Sequence, residues 1–385
     1  MKSYIYAKNL DQATLDQFES CTKQKYVVQS ALMPDAHFGY AAPIGAVLVT
    51  KDYVVPAWVG FDIGCGMCAL KLNGISADEI RKHAKEVHAA VCRAVPLGVG
   101  QKNDKNKLTP ETVSSLNDLI SKYKSEPHNR QMFDFFKSAS FYSVGTLGGG
   151  NHFVELGTSG KDAWLIIHTG SRGIGHRIAT YYMTKAAELA KKENIETTNA
   201  LAADSEIGKE YLSVLDILLD YALLNRLEIG RKTVSVIERV LGKKIKSVLW
   251  TNKNHNHVVC ERGLYVHRKG ATPAKRGERG VIPGNMRDGS VLVEGKGNAK
   301  FLNSSSHGAG RIMSRRDARE RLFLDDFKKQ MKGIVATVSE YTLNESPGVY
   351  KNLDDVMSAQ KASVKVIKKI KPLINWKGAE MKFRD

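Results

Sequence analysis

Short β-rich runs broken by glycine occur at three separate places in this chain, with long helical blocks between them. From Tyr4 to Leu72, Ala46-Val47-Leu48-Val49 and Tyr53-Val54-Val55 read as strands, punctuated by Pro43, Gly45, Gly60 and Gly64. The middle returns to this pattern with the Gly145–Gly150 loop and Trp164-Leu165-Ile166-Ile167, and strands resume at Ser247–Trp250 and Val258–Val266. Helices are expected from Ala77 to Val91 behind an N-cap at Ser76, and over Glu111–Lys137 with a break at Pro127. From Arg177 to Leu241 the pattern is mostly helical, with the apolar spacing of Tyr211, Val214, Leu215, Leu218 and Leu219. The spacing also predicts a basic helix from Leu353 to Ile370, stopping before Pro372. Strands and helices cluster instead of alternating, so a regular βαβ fold is excluded and an α+β class is expected. With no internal repeat, low-complexity tract or long linker, one domain spanning residues 1–385 is expected.

The 58 Lys and Arg exceed the 40 Asp and Glu by 18, and the sequence pI is about 9.5. A surplus of this sign favours phosphate-rich partners, nucleic acid first among them. The five cysteines are an odd number without a disulfide-like spacing, which points to a reducing compartment. The N-terminus has no signal-peptide core, and the longest apolar stretch, Ala41–Val49, contains Pro and Gly. It is far short of the roughly 18–20 residues that a membrane span needs. A soluble, cytoplasmic protein with no membrane partner is expected.

Asp62 and Cys65 lie three apart in a glycine-flanked loop, where backbone freedom lets both side chains converge on one point. A thiolate beside a carboxylate can form a metal corner; a small buried cysteine in a core turn is the alternative. Cys65 and Cys68 form a single Cys-x-x-Cys pair with no second pair, which excludes a four-cysteine zinc ribbon. Histidines add weight to the metal reading. His152 follows Gly148-Gly149-Gly150-Asn151, and His168 enters Thr169-Gly170-Ser171-Arg172-Gly173. His255 and His257 flank Asn256, and His307 opens His307-Gly308-Ala309-Gly310. Any one of these could be a hydrogen-bonded structural residue, but imidazole is also the commonest metal ligand and a competent nucleophile. His83, His88 and His128 sit in charged surroundings and are expected to face solvent.

Neither a Walker A motif, a dinucleotide fingerprint nor the Lys-x-Asp-Gly signature of lysine-using nucleotidyl ligases is present. Nucleotide chemistry here therefore requires another residue to carry the nucleotide. The basic clusters His267-Arg268-Lys269, Lys275-Arg276-Gly277-Glu278-Arg279 and Arg311/Arg315/Arg316 are expected to contact phosphate. Lys365, Lys368, Lys369 and Lys371 are expected to form a solvated face of the tail helix.

Several blocks together resemble the RtcB family of RNA ligases. They are Met33-Pro34-Asp35-Ala36-His37, Gly60-Phe61-Asp62-Ile63-Gly64-Cys65-Gly66-Met67, Gly148-Gly149-Gly150-Asn151-His152-Phe153 and His168-Thr169-Gly170-Ser171-Arg172-Gly173. His267-Arg268-Lys269-Gly270-Ala271-Thr272 and His307-Gly308-Ala309-Gly310-Arg311 follow in family order, down to Trp376-Lys377-Gly378. The resemblance implies one large domain of mixed sheets and peripheral helices. It implies a ligase, dependent on GTP and two Mn²⁺ ions, that joins an RNA 3′-phosphate or 2′,3′-cyclic phosphate to a 5′-hydroxyl. By the same resemblance Cys65 bridges the two ions, with Asp62 and His152 on one and His168 and His255 on the other. His307 becomes the GMP carrier, oriented by Asp35, and Gly308, Ala309 and Gly310 complete its loop. Asn151 is implied to meet GTP phosphate, while Glu155, Ser290, Tyr350 and Lys377 are implied to surround guanine. An archease-type activator belongs to the same set of implications.

Cys68 stands where the family usually has a small residue that binds no metal, so a second thiol is expected to make the site oxidation-prone. Asn285, Arg287 and Asp288 alter a loop expected near the guanine pocket. With a chain somewhat compact for the family, these departures fit RNA damage repair in place of tRNA splicing. The alternative function is a metal-dependent phosphoesterase that acts on RNA ends without ligation.

Overall fold

A computed structural model describes residues 2–192 and 199–378. Its centre is an eight-stranded sheet. Along it run Arg279–Pro283, Ser290–Gly295, Val364–Lys377, Phe153–Ser159, Asp162–Thr169, Gly66–Asn73 and Lys246–Asn254, and the short Val335–Ala336 pairs in parallel with Val364–Lys377. The two ends of this sheet approach each other where the Thr251 hydroxyl donates to the Arg279 carbonyl (3.0 Å), so the sheet nearly closes. A second, five-stranded sheet runs in the order Lys2–Ile5, Val27–His37, Ile44–Lys51, Leu264–Lys269 and Asn256–Glu261. Helices pack outside the sheets, and the class is the expected α+β mixture.

The 36-residue helix Glu206–Leu241 organises the interior. Ser205 caps its start by accepting from the Gly208 amide, and Gly242, at φ 64°, ends it in the left-handed conformation that glycine adopts without strain. One stretch of it packs with Leu116, Phe136, Ile178 and Tyr182 of the outer helices. Its later turns bury Ile229 and Ile237 against Leu70, Leu165 and Ile167 of the large sheet, with Trp376 in the same cluster. Fully burying residues of this size contributes about 1.5–3 kcal/mol each relative to exposure.

The expected Ala77–Val91 helix is two, Ala77–Lys82 and Ala84–Ala94, joined at His83. The break at Pro127 separates Pro110–Ser125 from Arg130–Ser143, as the sequence indicates. The basic tail helix is a correction. Only Leu353–Ala359 is helical, and Val364–Lys377 is a 14-residue strand in the middle of the large sheet. It pairs with Ser290–Gly295 on one side and Phe153–Ser159 on the other, and a register shift between Pro372 and Ile374 takes up the missing Pro372 donor. Two ladders and β-branched Val364, Val366, Ile367 and Ile370 outweigh the helical pattern of the lysines. Lys368 and Lys369 instead pair with Asp162 and Asp354 (2.6 Å each).

Two further readings change. His88 does not face solvent: its ring stacks on Trp376 at 5.8 Å, and Trp376 Nε1 donates to the His88 carbonyl (3.1 Å). Arg268 and Lys269 do not lie in a phosphate loop but in the buried end of the Leu264–Lys269 strand. Arg268 donates to Ser304 Oγ (2.9 Å), and Lys269 to the Ala57 carbonyl (3.0 Å). Among the described residues, no helix is long and apolar enough to cross a membrane.

Candidate metal centre and nucleotide pocket

The Gly66–Asn73 strand lies between the Asp162–Thr169 and Lys246–Asn254 strands. The register sets Gly66 opposite both Thr169 and Asn254, so Cys65, His168 and His255 emerge at the same end of three adjacent strands. The His255 amide donates to the Cys65 carbonyl (2.7 Å), which ties two of these segments together. Cys65 Sγ lies 3.2 Å from His168 Nε2 and 3.4 Å from His152 Nε2, and His168 Nε2 lies 3.3 Å from His255 Nε2. Asp62 Oδ2 approaches His152 Nε2 at 2.9 Å. Two groups result that could each hold a metal ion, Asp62/Cys65/His152 and Cys65/His168/His255, with Cys65 common to both.

The chemistry of the donors fits a divalent cation. Nδ1 of His168 donates to the Asn151 carbonyl (3.1 Å), and Nδ1 of His152 lies 3.1 Å from the Leu147 carbonyl. A proton held at Nδ1 leaves Nε2 as a lone pair aimed at the centre. At His152 the partners divide: the Leu147 carbonyl favours a proton at Nδ1, whereas Arg172 Nη1, 3.1 Å from Nδ1, and Asp62 Oδ2, 2.9 Å from Nε2, favour one at Nε2, which a cation bound there would displace. Burial, followed by neighbouring cationic groups, holds His168 and His255 well below the usual imidazole range. Burial and the nearby Asp62 push the Cys65 thiol well up. His168 Nε2, its lone pair fixed by the bond at Nδ1, faces Cys65 Sγ at 3.2 Å and His255 Nε2 at 3.3 Å, close enough for the three to share one divalent cation.

Cys68 takes no part. Strand alternation turns it to the opposite face, into the cluster of Leu70 and Leu165, where burial pushes its thiol up to about 12. Thiolate character is what makes a cysteine oxidisable, so the expected sensitivity at Cys68 is not supported.

The donors open into a cavity of about 270 Å³ that also contains His307, Asn151, Glu155, Tyr350 and Lys377. His307 follows the Ser304–Ser306 strand and meets Asp35 of the Val27–His37 strand. Its Nδ1 donates to Asp35 Oδ2 at 2.6 Å, and the same oxygen accepts from the His307 amide (3.1 Å) and the Gly308 amide (3.3 Å). With Nδ1 engaged, Nε2 carries the lone pair. Burial raises the Asp35 carboxyl, but His307 outweighs it and holds the group below the usual carboxylate range. The His307 and His255 rings lie 4.9 Å apart, which sets a carboxylate-bound imidazole beside the candidate metal donors. Gly310, at φ 79°, closes the loop against Asp35; a Cβ there would come within 2.2 Å of the Asp35 carbonyl oxygen.

Gly308, Ala309 and Gly310 line the cavity as well. Ser290 does not; it is buried behind the lining, near Glu155. Asn285 reaches the cavity, while Arg287 and Asp288 pair with each other at 2.7 Å outside it. Glu345 is the residue that sequence reading missed. Buried at 3% exposure, it accepts from Arg311 (3.1 Å), Arg315 (2.9 Å), Lys377 (2.9 Å) and the Tyr350 hydroxyl. Burial alone would raise its carboxyl, but Lys377 and the two arginines hold it at about 2. Thus Arg311 and Arg315 do reach the pocket, as expected of basic residues beside the His307 loop, whereas Arg316 pairs with Glu320 outside it. No local motif marks Glu345; only the convergence of Tyr350 with three distant partners does.

Glu155 behaves oppositely. Burial without a cationic partner pushes its carboxyl up to about 8, and its Oε1 has no protein partner; neither has Asn375 Oδ1 across the strand pair. The folded chain keeps this proton to about pH 8, while an unfolded chain releases it near 4.5. Stability from this group is therefore complete below pH 4.5 and is lost as pH rises to about 8. Glu155→Gln is expected to flatten this slope and to raise Tm at pH 8 by about 2–4 °C, on the order of 3 kcal/mol. Thermal melts between pH 5 and 8.5 check it; parallel curves for the two proteins would refute the assignment.

The family model for tRNA-splicing ligase RtcB matches residues 17–378. RNA-splicing ligase RtcB1 of Escherichia coli strain ATCC 25922 is 34% identical over 374 residues, and RNA-splicing ligase RtcB of strain K12 is 33% identical, each alignment covering 90% of both chains. The tRNA-splicing ligase RtcB of Nanoarchaeum equitans is 30% identical over 92% of this chain and 89% of its own. A match over nearly the whole length, joined to a carboxylate-bound histidine set beside Cys/His groups that could hold a metal, makes this chain an RNA ligase of the RtcB family.

Proposed function

We propose that this ligase uses GTP and Mn²⁺ to join an RNA 3′-phosphate, or a 2′,3′-cyclic phosphate after hydrolytic opening, to a 5′-hydroxyl. The observation that carries the reading is His307: Nδ1 is fixed on a buried carboxylate, Nε2 is free to attack, and the ring is 4.9 Å from His255. A phosphoesterase acting on RNA ends would need the metal donors but no such carrier.

In the first step His307 Nε2 attacks the α-phosphorus of GTP. A P–N bond forms, the bond to the bridging oxygen breaks, and pyrophosphate leaves while Asp35 stabilises the imidazolium. An oxygen of the RNA 3′-phosphate then attacks the same phosphorus, and the P–N electron pair returns to His307, giving RNA(3′)pp(5′)G. Finally the 5′-hydroxyl oxygen attacks the RNA phosphorus, the bond from that phosphorus to the bridging oxygen breaks, GMP leaves with that oxygen, and the hydroxyl proton passes to solvent, leaving a phosphodiester. Asp62, Cys65 and His152 would hold one ion, and Cys65, His168 and His255 the other. Bound there, the ions supply charge neutralisation at the phosphates.

Guanine suits the far end of the cavity. Glu155 Oε1 and Asn375 Oδ1 are buried acceptors without protein partners, and guanine offers N1–H and N2–H₂ where adenine offers fewer donors on that edge. Asn151 is assigned to the phosphates, and Ser290, Tyr350 and Lys377 to the surroundings of the base. The reading extends to tRNA splicing or RNA repair in the cytoplasm, with an archease-type activator as the partner that restores turnover.

The test incubates the full chain with Mn²⁺ and α-labelled GTP, in parallel with ATP, and identifies the labelled peptide by mass. Label from GTP on His307, stable to base and labile to acid, is expected. Mn²⁺-loaded protein that takes up no label, or a His307→Ala variant labelled as fully as the parent, would reject the reading.

A further inference from the structure

A row of basic hollows adjoins the nucleotide pocket, beginning at Lys377, which is buried and paired with Glu345. Lys377, in the pocket wall, also borders a second hollow of about 510 Å³ whose other cations are Arg93 and Lys102. Arg93 in turn borders a groove of about 450 Å³ between the Ala84–Ala94 helix and the later turns of Glu206–Leu241. That groove adds Lys107, Arg231, Lys232 and Arg239, and neither hollow has an acidic residue in its lining. Arg231 donates to the Thr112 hydroxyl (2.9 Å), Lys232 lies 3.9 Å from Glu228, and Lys107 lies 3.9 Å from an exposed Asp104. Gathered from two helices and the Lys105–Lys107 turn, these cations repel one another, and a polyanion relieves that repulsion.

We propose that the body of the RNA substrate runs from the nucleotide pocket along this path, its phosphates held by Arg93, Lys107, Arg231 and Arg239. The proposal rests on RNA being the substrate but not on the GMP chemistry, since binding is measured without GTP. The probe is a 30-nucleotide single-stranded RNA with a 3′-phosphate, followed by fluorescence anisotropy across a salt series. Each phosphate contact in a single strand contributes about 0.7 to the slope of log affinity against log salt. Combined Arg93→Gln, Lys107→Gln and Arg239→Gln should reduce the slope by about 2 and weaken binding at least 10-fold. Combined Lys23→Gln, Lys25→Gln and Lys51→Gln, which removes equal charge from exposed positions elsewhere, should leave the slope within 0.5 of the parent. Equal losses in both triple variants, or none in either, would overturn the path. Absence of a His307 adduct in the parent would reject the ligation chemistry and leave this result standing.

A separate observation concerns Arg226, fully buried in the Glu206–Leu241 helix. Its guanidinium donates to the Gly64 carbonyl (2.9 Å), the Thr169 carbonyl (2.8 Å) and the side-chain oxygens of Asn252 and Asn254 (2.6 Å each). Gly64 precedes Cys65, Thr169 follows His168, and Asn254 precedes His255, so one cation ties down all three segments of one metal group. The two asparagine amides donate to the Leu223 (3.0 Å) and Leu219 (3.4 Å) carbonyls of the same helix, which turns their oxygens toward Arg226. The geometry assigns Arg226 as the positioning residue of the Cys65/His168/His255 group; it rests on that group binding metal, which cobalt uptake by the parent tests directly. Replacement by Met, or by Lys, which cannot reach four acceptors with one ammonium, should weaken Co²⁺ binding 10–100-fold and diminish the thiolate-to-cobalt absorption. Parent affinity and spectrum in folded Arg226→Lys, whatever its melting temperature, would overturn the assignment.

Discussion

Replacement of Cys65 by serine is expected to empty both metal positions at once and to lower RNA joining by at least a thousandfold. Sγ is the one atom common to both donor groups, 3.4 Å from His152 Nε2 and 3.2 Å from His168 Nε2. A serine hydroxyl stays protonated where a thiol can ionise under a cation, so it offers neither the charge nor the polarisability of the bridge. What remains is one carboxylate with one imidazole on one side and two imidazoles on the other. Asp62→Asn and His255→Asn serve as comparison, because each touches a single group and should leave the other ion bound. Metal content after gel filtration, with Co²⁺ as spectroscopic probe, decides the matter. Two ions retained in Cys65→Ser would reject the shared-ligand geometry. Cys68→Ser should bind as the parent does, since that side chain faces the opposite side of the strand.

Much of this site was legible because its residues sit in short glycine-rich segments with unusual composition. Cys65, His152, His168, His255 and His307 could be picked out one loop at a time, and the sheet register brings four of those loops to one end of adjacent strands. What was not legible is what depends on distant convergence. Glu345 looks like any surface acid until Arg311, Arg315, Lys377 and Tyr350 close around it. Arg226 lies in an amphipathic helical pattern in which a charged residue usually faces water, yet it is fully buried because two backbone carbonyls and two asparagines supply its acceptors. The Val364–Lys377 strand was misread for a related reason. Lysine spacing carries a helical signal locally, but two neighbouring strands satisfy its backbone and Asp162 and Asp354 take its lysines. Arg268 and Lys269 show the same limit in reverse: a basic tripeptide suggests a phosphate loop, whereas burial and internal acceptors make it part of a strand.

Asp35→Asn is expected to slow GMP attachment to His307 by two to three orders of magnitude while leaving metal content unchanged. An asparagine oxygen can still accept from His307 Nδ1 and from the His307 and Gly308 amides, the three donors that converge on Asp35 Oδ2. Geometry is therefore largely kept, and the quantity removed is charge. When Nε2 bonds to phosphorus the imidazole becomes cationic, and a carboxylate in a water-excluded site stabilises that cation far more than a neutral amide does. The two-to-three-order loss corresponds to about 2.7–4 kcal/mol at the transition state. Asp35→Ala should be worse and in a different way, because it leaves three buried donors without an acceptor and lowers stability by a few kcal/mol. Single-turnover labelling with α-labelled GTP separates the two: Asp35→Asn keeps the parent's melting temperature within a few degrees and loses rate, whereas Asp35→Ala loses both. Labelling of Asp35→Asn at the parent rate would show that Asp35 only holds the loop, and that the charge proposed for the phosphoramidate step comes from elsewhere.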